Sequence, residues 1–206
     1  MDALSLLQHS TPVMPVANFS SDEHATRCAE LFAEAGVPAI EVTLRHADAW
    51  QHVEICRRLM PECQIGVGTV TNATEINRAS ELADFAISPG FDTGLLAFLP
   101  TTFTYIPGVS TASEVMQAAN AGFSVLKLFP AEAVGGVTLL KALAGPFPDI
   151  KFCPTGGISL KNYQDYLALP NVLCVGGSWV IPSLDSLQRE RSELLRSLKN
   201  LYKNND

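Results

Sequence analysis

Two charged residues sit where this chain is otherwise apolar. Val125-Leu126-Lys127-Leu128-Phe129-Pro130 reads as a buried strand with an ammonium at its centre, and Ala39-Ile40-Glu41-Val42-Thr43-Leu44-Arg45 carries a carboxylate in the same manner. Desolvation disfavours the charged amine, so buried lysines tend to act as neutral nucleophiles, and such an amine condenses with ketones to a Schiff base. Taken alone, a lysine in an apolar run is more often paired with a buried carboxylate or snorkels out at the strand end. Its company favours chemistry. A Schiff-base lysine needs a partner that moves protons during carbinolamine dehydration and carbon–carbon cleavage, and Glu41 is suited to general acid/base work. The plainer role for Glu41 is to neutralise Lys127 in the core. Arg45, just past its strand, suits bidentate capture of a substrate carboxylate; otherwise it is an exposed loop or first-turn arginine.

Glycines mark further strand ends. Gly66-Val67-Gly68-Thr69 and Ser88-Pro89-Gly90 are explained by tight turns alone, except that the Thr69 hydroxyl can bond a carboxylate or carbonyl. Thr155-Gly156-Gly157-Ile158-Ser159 and Gly176-Gly177-Ser178-Trp179 close the last two strand candidates. One Gly-Gly is usually a turn; two at neighbouring strand ends point to backbone N–H groups offered to a phosphate. The remaining candidates carry less. His9, His24, His46 and His52 show no metal-ligand spacing, and His46 with Asp48 fits a helix first turn. Ser110-Thr111 reads as a loop and cap, and Gly135-Gly136 after Glu132 as loop.

Short apolar runs alternate with amphipathic stretches along the whole chain. The strand candidates are Val13–Val16, Ala39–Thr43, Ile65–Thr69, Phe85–Ser88, Tyr105–Val109, Val125–Phe129, Lys151–Thr155 and Val172–Val175, eight in all. Helical patterns cover Asp22–Ala35, His46–Met60, Ala73–Ala83, Ala112–Ala121 and Val137–Leu143. Ser20-Ser21-Asp22-Glu23 and the capping box Thr111-Ala112-Ser113-Glu114 supply start signals, and Gly36 and Gly122 supply stops. Such alternation implies parallel strands joined by helices, and the number of strands favours a closed α/β (β/α)₈ TIM barrel over a doubly wound sheet. Residues 1–206 are expected to form one barrel domain with a helical tail from about residue 186, its loops brief because barrels typically need roughly 250 residues.

In a barrel, chemistry collects at the C-terminal strand ends. Alternation puts Ala39, Glu41 and Thr43 on one face, Val125, Lys127 and Phe129 on another, with Ile65, Val67 and Thr69, and Lys151, Cys153 and Thr155, as further sets. If polar members face inward, Glu41, Thr69, Lys127 and Thr155 converge at one mouth. Lys151 starts its strand and belongs at the opposite end.

Composition narrows the classes. At 206 residues, 47% hydrophobic and 17% charged, the chain can build one sizeable core. A net charge of −7 argues against nucleic-acid binding. The mixed-sign segment Gln188–Lys203 suits a solvated helix face. Cys28, Cys56, Cys63, Cys153 and Cys174 form no C-x-x-C pair, which argues against a disulfide framework or a zinc site. The first residues lack signal-peptide character and no apolar run is long enough for a membrane span, so a cytoplasmic protein is expected.

Seven motifs in order, EVTLR at Glu41–Arg45, GVGTV at Gly66–Val70, ISPG at Ile87–Gly90, IPGVST at Ile106–Thr111, KLFPAE at Lys127–Glu132, CPTGGIS at Cys153–Ser159 and GGSW at Gly176–Trp179, carry a resemblance that runs to about Pro182. The chain resembles the bacterial class I aldolases of the 2-keto-3-deoxy-6-phosphogluconate (KDPG) and 4-hydroxy-2-oxoglutarate (KHG) aldolase family. The resemblance implies a (β/α)₈ barrel assembled as a homotrimer, with no metal or other cofactor. It implies Lys127 as Schiff-base former and Glu41 as general acid/base. Arg45, Thr69 and Thr155 would hold the pyruvyl portion, Pro89 and Phe129 would line its pocket, and Gly156, Gly157, Gly177 and Ser178 would bind the distal phosphate. Many relatives carry a basic residue after the first strand, where this chain has Val16-Ala17-Asn18-Phe19. The expected partners are a 2-oxo acid and a phosphorylated aldehyde. Three other readings stay open at this point: an aldolase for the C4-epimeric 6-phosphogalactonate, a metal-dependent pyruvate aldolase, and a non-catalytic barrel that binds a phosphorylated sugar.

Overall fold

The computed structural model describes residues 1–203. Among the described residues nine strands appear, in the order β1 Val13–Ala17, β2 Ala39–Thr43, β3 Gln64–Gly68, β4 Phe85–Ile87, β5 Thr104–Ile106, β6 Gly108–Val109, β7 Val125–Leu128, β8 Lys151–Pro154 and β9 Val175–Gly177. All named pairings are parallel, in the orders β5-β4-β3-β2-β1-β9 and β6-β7-β8. The expected fifth strand is divided. Pro107 lies between its halves and has no N–H to give, so β5 pairs with β4 and β6 pairs with β7. The two halves form one stave, which makes eight staves. Bridges Phe152↔Val172 and Thr155↔Gly176 join β8 to the β9 segment and close the ring. The expected α/β barrel is the architecture found, with the eighth strand beginning later than its apolar run.

The helices are α1 Ala3–His9, α2 Asp22–Ala35, α3 Ala49–Leu59, α4 Ala73–Leu82, α5 Ala112–Asn120, α6 Gly136–Ala144, α7 Tyr163–Leu167, α8 Leu184–Arg189 and α9 Arg191–Leu201. Short 3₁₀ turns cover Thr93–Phe98 and Glu132–Val134. Ser21 caps α2 by accepting from the His24 amide, Gly36 ends it with φ 71°, and Thr111 and Glu114 form the reciprocal box on α5. His46 and Asp48 precede α3 rather than joining its first turn: Asp48 takes the N-cap position, and the His46 carbonyl accepts from Ala49.

No sequence pattern announces α1. It matters to the ring, because Leu6 and Leu7 pack in one cluster with Met14, Ala39, Phe85, Ile87, Ile106, Val125, Cys153 and Cys174. These are the inward residues of several strands, so α1 seals the end where those strands begin. The opposite end stays available for chemistry. Between strands and helices, Ile40, Val42, Ile65 and Val67 fill one shell with α2 and α3, while Leu126, Leu128 and Phe152 fill another with α5, α6 and α7.

The third strand departs from the expected facing. Ile65 and Val67 turn toward the helices, and Gly66 and Gly68 face the interior, where Gly66 stands in register with Glu41. Thr69 lies beyond the strand with φ 66°, alone among the described non-glycine residues in having positive φ, so the alternation of β3 does not set its direction.

The tail is helical in α8 and α9. Leu198 and Tyr202 share a core with Phe32, the Arg191 guanidinium reaches Glu34 at 2.7 Å, and Tyr202 donates to the Val13 carbonyl at 2.7 Å. Residues 204–206 of the expected tail lie outside the described residues.

Candidate active site

Lys127 and Glu41 meet across the ring. Three staves separate their strands on each side, yet Lys127 Nζ donates to Glu41 Oε1 at 2.9 Å and to Oε2 at 3.3 Å. Both side chains are interior, with Lys127 5% and Glu41 1% exposed. The backbone explains the convergence. Leu126 and Leu128 of β7 and Ile40 and Val42 of β2 pack outward, so the charged residues between them must turn inward. A buried ammonium and carboxylate are tolerable only as a hydrogen-bonded pair. The Phe129 ring lies 5.3 Å from Nζ, centroid to nitrogen, which puts an aromatic face beside the amine.

Space for this pair comes from glycine. A Cβ at position 68 would lie 2.6 Å from Glu41 Cδ, so the carboxylate occupies the volume a side chain there would need. Gly176 similarly leaves room for Thr155, whose Cβ would be 3.0 Å from one at that position. Thr155 is buried, and its Oγ1 has no hydrogen-bond partner among the described residues. A buried hydroxyl without a partner is costly, so its placement here invites an acceptor or donor from a ligand. Beneath the pair, Cys174 and Cys153 lie 3.6 Å apart, sulfur to sulfur. The hydrogen bond to Cys153, together with burial, pushes the Cys174 thiol well up, which makes it a poor nucleophile.

The other sequence candidates gather at the same end. Pro89 is half-buried, and its carbonyl presses on Gly108, where no side chain would fit. Ser88 fixes this turn: it donates to the Gly90 carbonyl at 2.6 Å and accepts from Tyr105 at 2.7 Å and from the Gly108 amide at 3.3 Å. Burial raises Tyr105, which keeps it a donor. Thr69 is half-buried at its turn, and Arg45 stands exposed two residues beyond β2. The Thr155↔Gly176 bridge lays the two glycine loops side by side. Gly156 and Gly157 have φ 102° and 80°, and the Trp179 ring covers Gly177, so these positions need glycine for different reasons. Ser178 is exposed beside them.

Lys151 lies at the other end as expected, its Nζ donating to the Pro170 carbonyl at 3.0 Å. Sequence reasoning missed Gly68, Gly108 and Gly176 as room-makers and Ser88 and Tyr105 as braces. The one signal the sequence held was glycine inside or beside an apolar strand run. Among the described residues no three His, Cys, Asp or Glu side chains gather as metal ligands, and no helix is long and apolar enough to cross a membrane.

A family model described as KDPG and KHG aldolase matches residues 5–195. The 2-dehydro-3-deoxy-phosphogluconate aldolase of Dickeya dadantii is 48% identical over 86% of this chain and 84% of its own. The KHG/KDPG aldolase of Escherichia coli is 47% identical over the same shares, 86% and 84%. Among solved structures, the KDPG aldolase of Legionella pneumophila, with pyruvate captured at low pH as a covalent carbinolamine intermediate, superposes with a TM-score of 0.86 at 39% identity, covering 95% of this chain and 96% of that one. By its motifs, its barrel and these likenesses, the chain belongs to the KDPG and KHG aldolase family.

Proposed function

We propose that this chain is a class I aldolase that reversibly cleaves 2-dehydro-3-deoxy-6-phosphogluconate to pyruvate and glyceraldehyde 3-phosphate. It also cleaves 4-hydroxy-2-oxoglutarate to pyruvate and glyoxylate. The observation that carries this is the Lys127–Glu41 contact, 2.9 Å long and buried at the open end of the ring. The names of the relatives and the carbinolamine in the Legionella structure support it.

The geometry gives each step a residue. Lys127 passes a proton along its hydrogen bond to Glu41, and the freed amine adds to the C2 ketone. Glu41 returns that proton to the carbinolamine hydroxyl, which leaves as water, and an iminium remains. Glu41 then takes the proton of the C4 hydroxyl. The C3–C4 electron pair flows into the iminium, the aldehyde departs, and an enamine stays on Lys127. Protonation at C3 by Glu41 and hydrolysis yield pyruvate and the free lysine. The protonated imine polarises the substrate, so the route needs neither metal nor other cofactor.

The remaining residues hold the substrate. Arg45, Thr69 and Thr155 take the pyruvyl carboxylate and carbonyl, the unpartnered Thr155 hydroxyl supporting its part. Pro89 and Phe129 line the pocket, and Gly156, Gly157, Gly177 and Ser178 bind the phosphate through two adjacent loops. We read residues 1–206 as one domain acting in the cytoplasm, the tail sharing its core with α2, and the working form as a homotrimer.

A coupled assay tests the reading. Pyruvate should appear from both substrates at rates unchanged by excess chelator. Loss of activity with chelator, or cleavage of the C4 epimer in preference to the gluconate form, would overturn it.

A further inference from the structure

The chain that follows Lys127 lies across the loop that follows β8. The Ala131 amide donates to the Thr155 carbonyl at 2.8 Å, and the Glu132 amide to the Gly156 carbonyl at 3.0 Å. The side chain of Glu132 continues the contact. A Cβ on Gly157 would lie 2.6 Å from both Cβ and Cγ of Glu132, so the stem of this glutamate rests directly on the glycine loop. Its carboxylate is then held from a third direction. Tyr166 of α7, fully buried, donates a short hydrogen bond to Glu132 Oε1. Gly136 makes room for that contact, since a Cβ there would lie 2.6 Å from the Tyr166 hydroxyl and 3.0 Å from Oε1. Burial, reinforced by the Glu132 carboxylate, raises Tyr166 and keeps it a donor.

This arrangement joins two parts of the site that the sequence separates. Lys127 and Phe129 lead into the loop that carries Glu132, and Gly156 and Gly157 open the loop that leads into α7. Asn162 braces the same loop from beneath, accepting from the Ser159 amide at 2.7 Å. Glu132 bears on the glycine loop through Gly157, and Tyr166, on α7, bears on it through Glu132, so the pair touches the Gly156-Gly157 backbone rather than the Lys127–Glu41 contact.

We propose that Glu132 and Tyr166 form a positioning pair that sets affinity for the phosphate end of the substrate while leaving the imine-forming end unaltered. The inference rests on the aldolase reading above. It assigns this pair the task of holding the Gly156-Gly157 backbone at the height a phosphate requires.

Tyr166→Phe keeps the ring in the core and deletes only the donor. The expected result is a rise of about tenfold in KM for the phosphorylated substrate, equivalent to ~1.4 kcal/mol, with little change in kcat. The rate at which borohydride traps pyruvate on Lys127 should stay within about twofold of the parent, since pyruvate carries no phosphate. Glu132→Ala should reproduce this split. Glu132→Gln, which keeps an acceptor for Tyr166, should restore most of the affinity. Equal losses in phosphorylated-substrate KM and pyruvate trapping would show a merely structural role and overturn the proposal, as would no change in either. Parent enzyme that traps no pyruvate would instead bring down the aldolase reading, and this inference with it.

Discussion

Glu41 sits in the space that a side chain on Gly68 would occupy, 2.6 Å separating its Cδ from a Cβ built there. The two residues are on neighbouring strands, and the absence of one side chain lets the other lie inside the ring beside Lys127. Gly68→Ala should therefore push the carboxylate away without breaking the outward packing of Val67. Turnover is expected to fall by about two orders of magnitude, approaching the range for loss of a general acid/base, while circular dichroism stays native. Near-parental turnover would show that Glu41 has no fixed place in the mechanism.

Removing the charge of Glu41 while keeping its shape separates proton transfer from binding. Glu41→Gln should lower kcat by roughly 10²–10⁴-fold, with pyruvate affinity changed far less. If both fall by the same factor, Glu41 positions substrate rather than moving protons.

Thr155 offers a prediction in which stability and function move apart. Its Oγ1 is buried without a partner among the described residues, and such an orphan costs about 1–3 kcal/mol. Thr155→Val has nearly the same shape and lacks that cost, so the free protein should melt at the same or a higher temperature. Pyruvate binding should weaken about tenfold, the loss of one ~1.4 kcal/mol hydrogen bond. A lower melting temperature with unchanged pyruvate affinity would make the hydroxyl structural.

Much of this site is legible in the order of the amino acids, and the reason differs by strand. On β2 and β7, large apolar residues flank a single charge, so alternation fixes which way Glu41 and Lys127 point. β3 defeats the same reasoning because Gly66 and Gly68 have no side chain to show their phase, and Thr69 borrows the phase of Ile65 and Val67 until its positive φ breaks it. The division of the fifth strand has its cause at Pro107, which lacks an N–H. The role of α1 has no such marker: Leu6 and Leu7 are adjacent in sequence, and only the ring they seal explains why both are buried. The Glu132–Tyr166 contact joins residues 34 apart through a loop and a five-residue helix, a relationship that pattern alone does not encode.

Alkaline stability follows from the buried thiols. Desolvation pushes Cys28 and Cys56 up from 9.0 to about 12. Between those values the unfolded thiols are ionised and the folded ones are not, so unfolding releases protons and stability falls as pH rises. The stabilising contribution is complete below pH 9 and is lost through about pH 12. Each thiol should add about 1.4 kcal/mol per pH unit to that slope. Denaturant melts between pH 8 and 11 should show a shallower decline for Cys28→Ala than for the parent, and equal slopes would place this thiol in contact with water.

The most direct test is borohydride reduction of the enzyme in the presence of pyruvate, with peptide mapping by mass spectrometry. One reduced pyruvyl adduct per chain, on the peptide bearing Lys127 and absent from Lys127→Arg, is the predicted result. An adduct on Lys151 or another lysine, or none, would contradict the claim that the amine enclosed by the ring forms the imine.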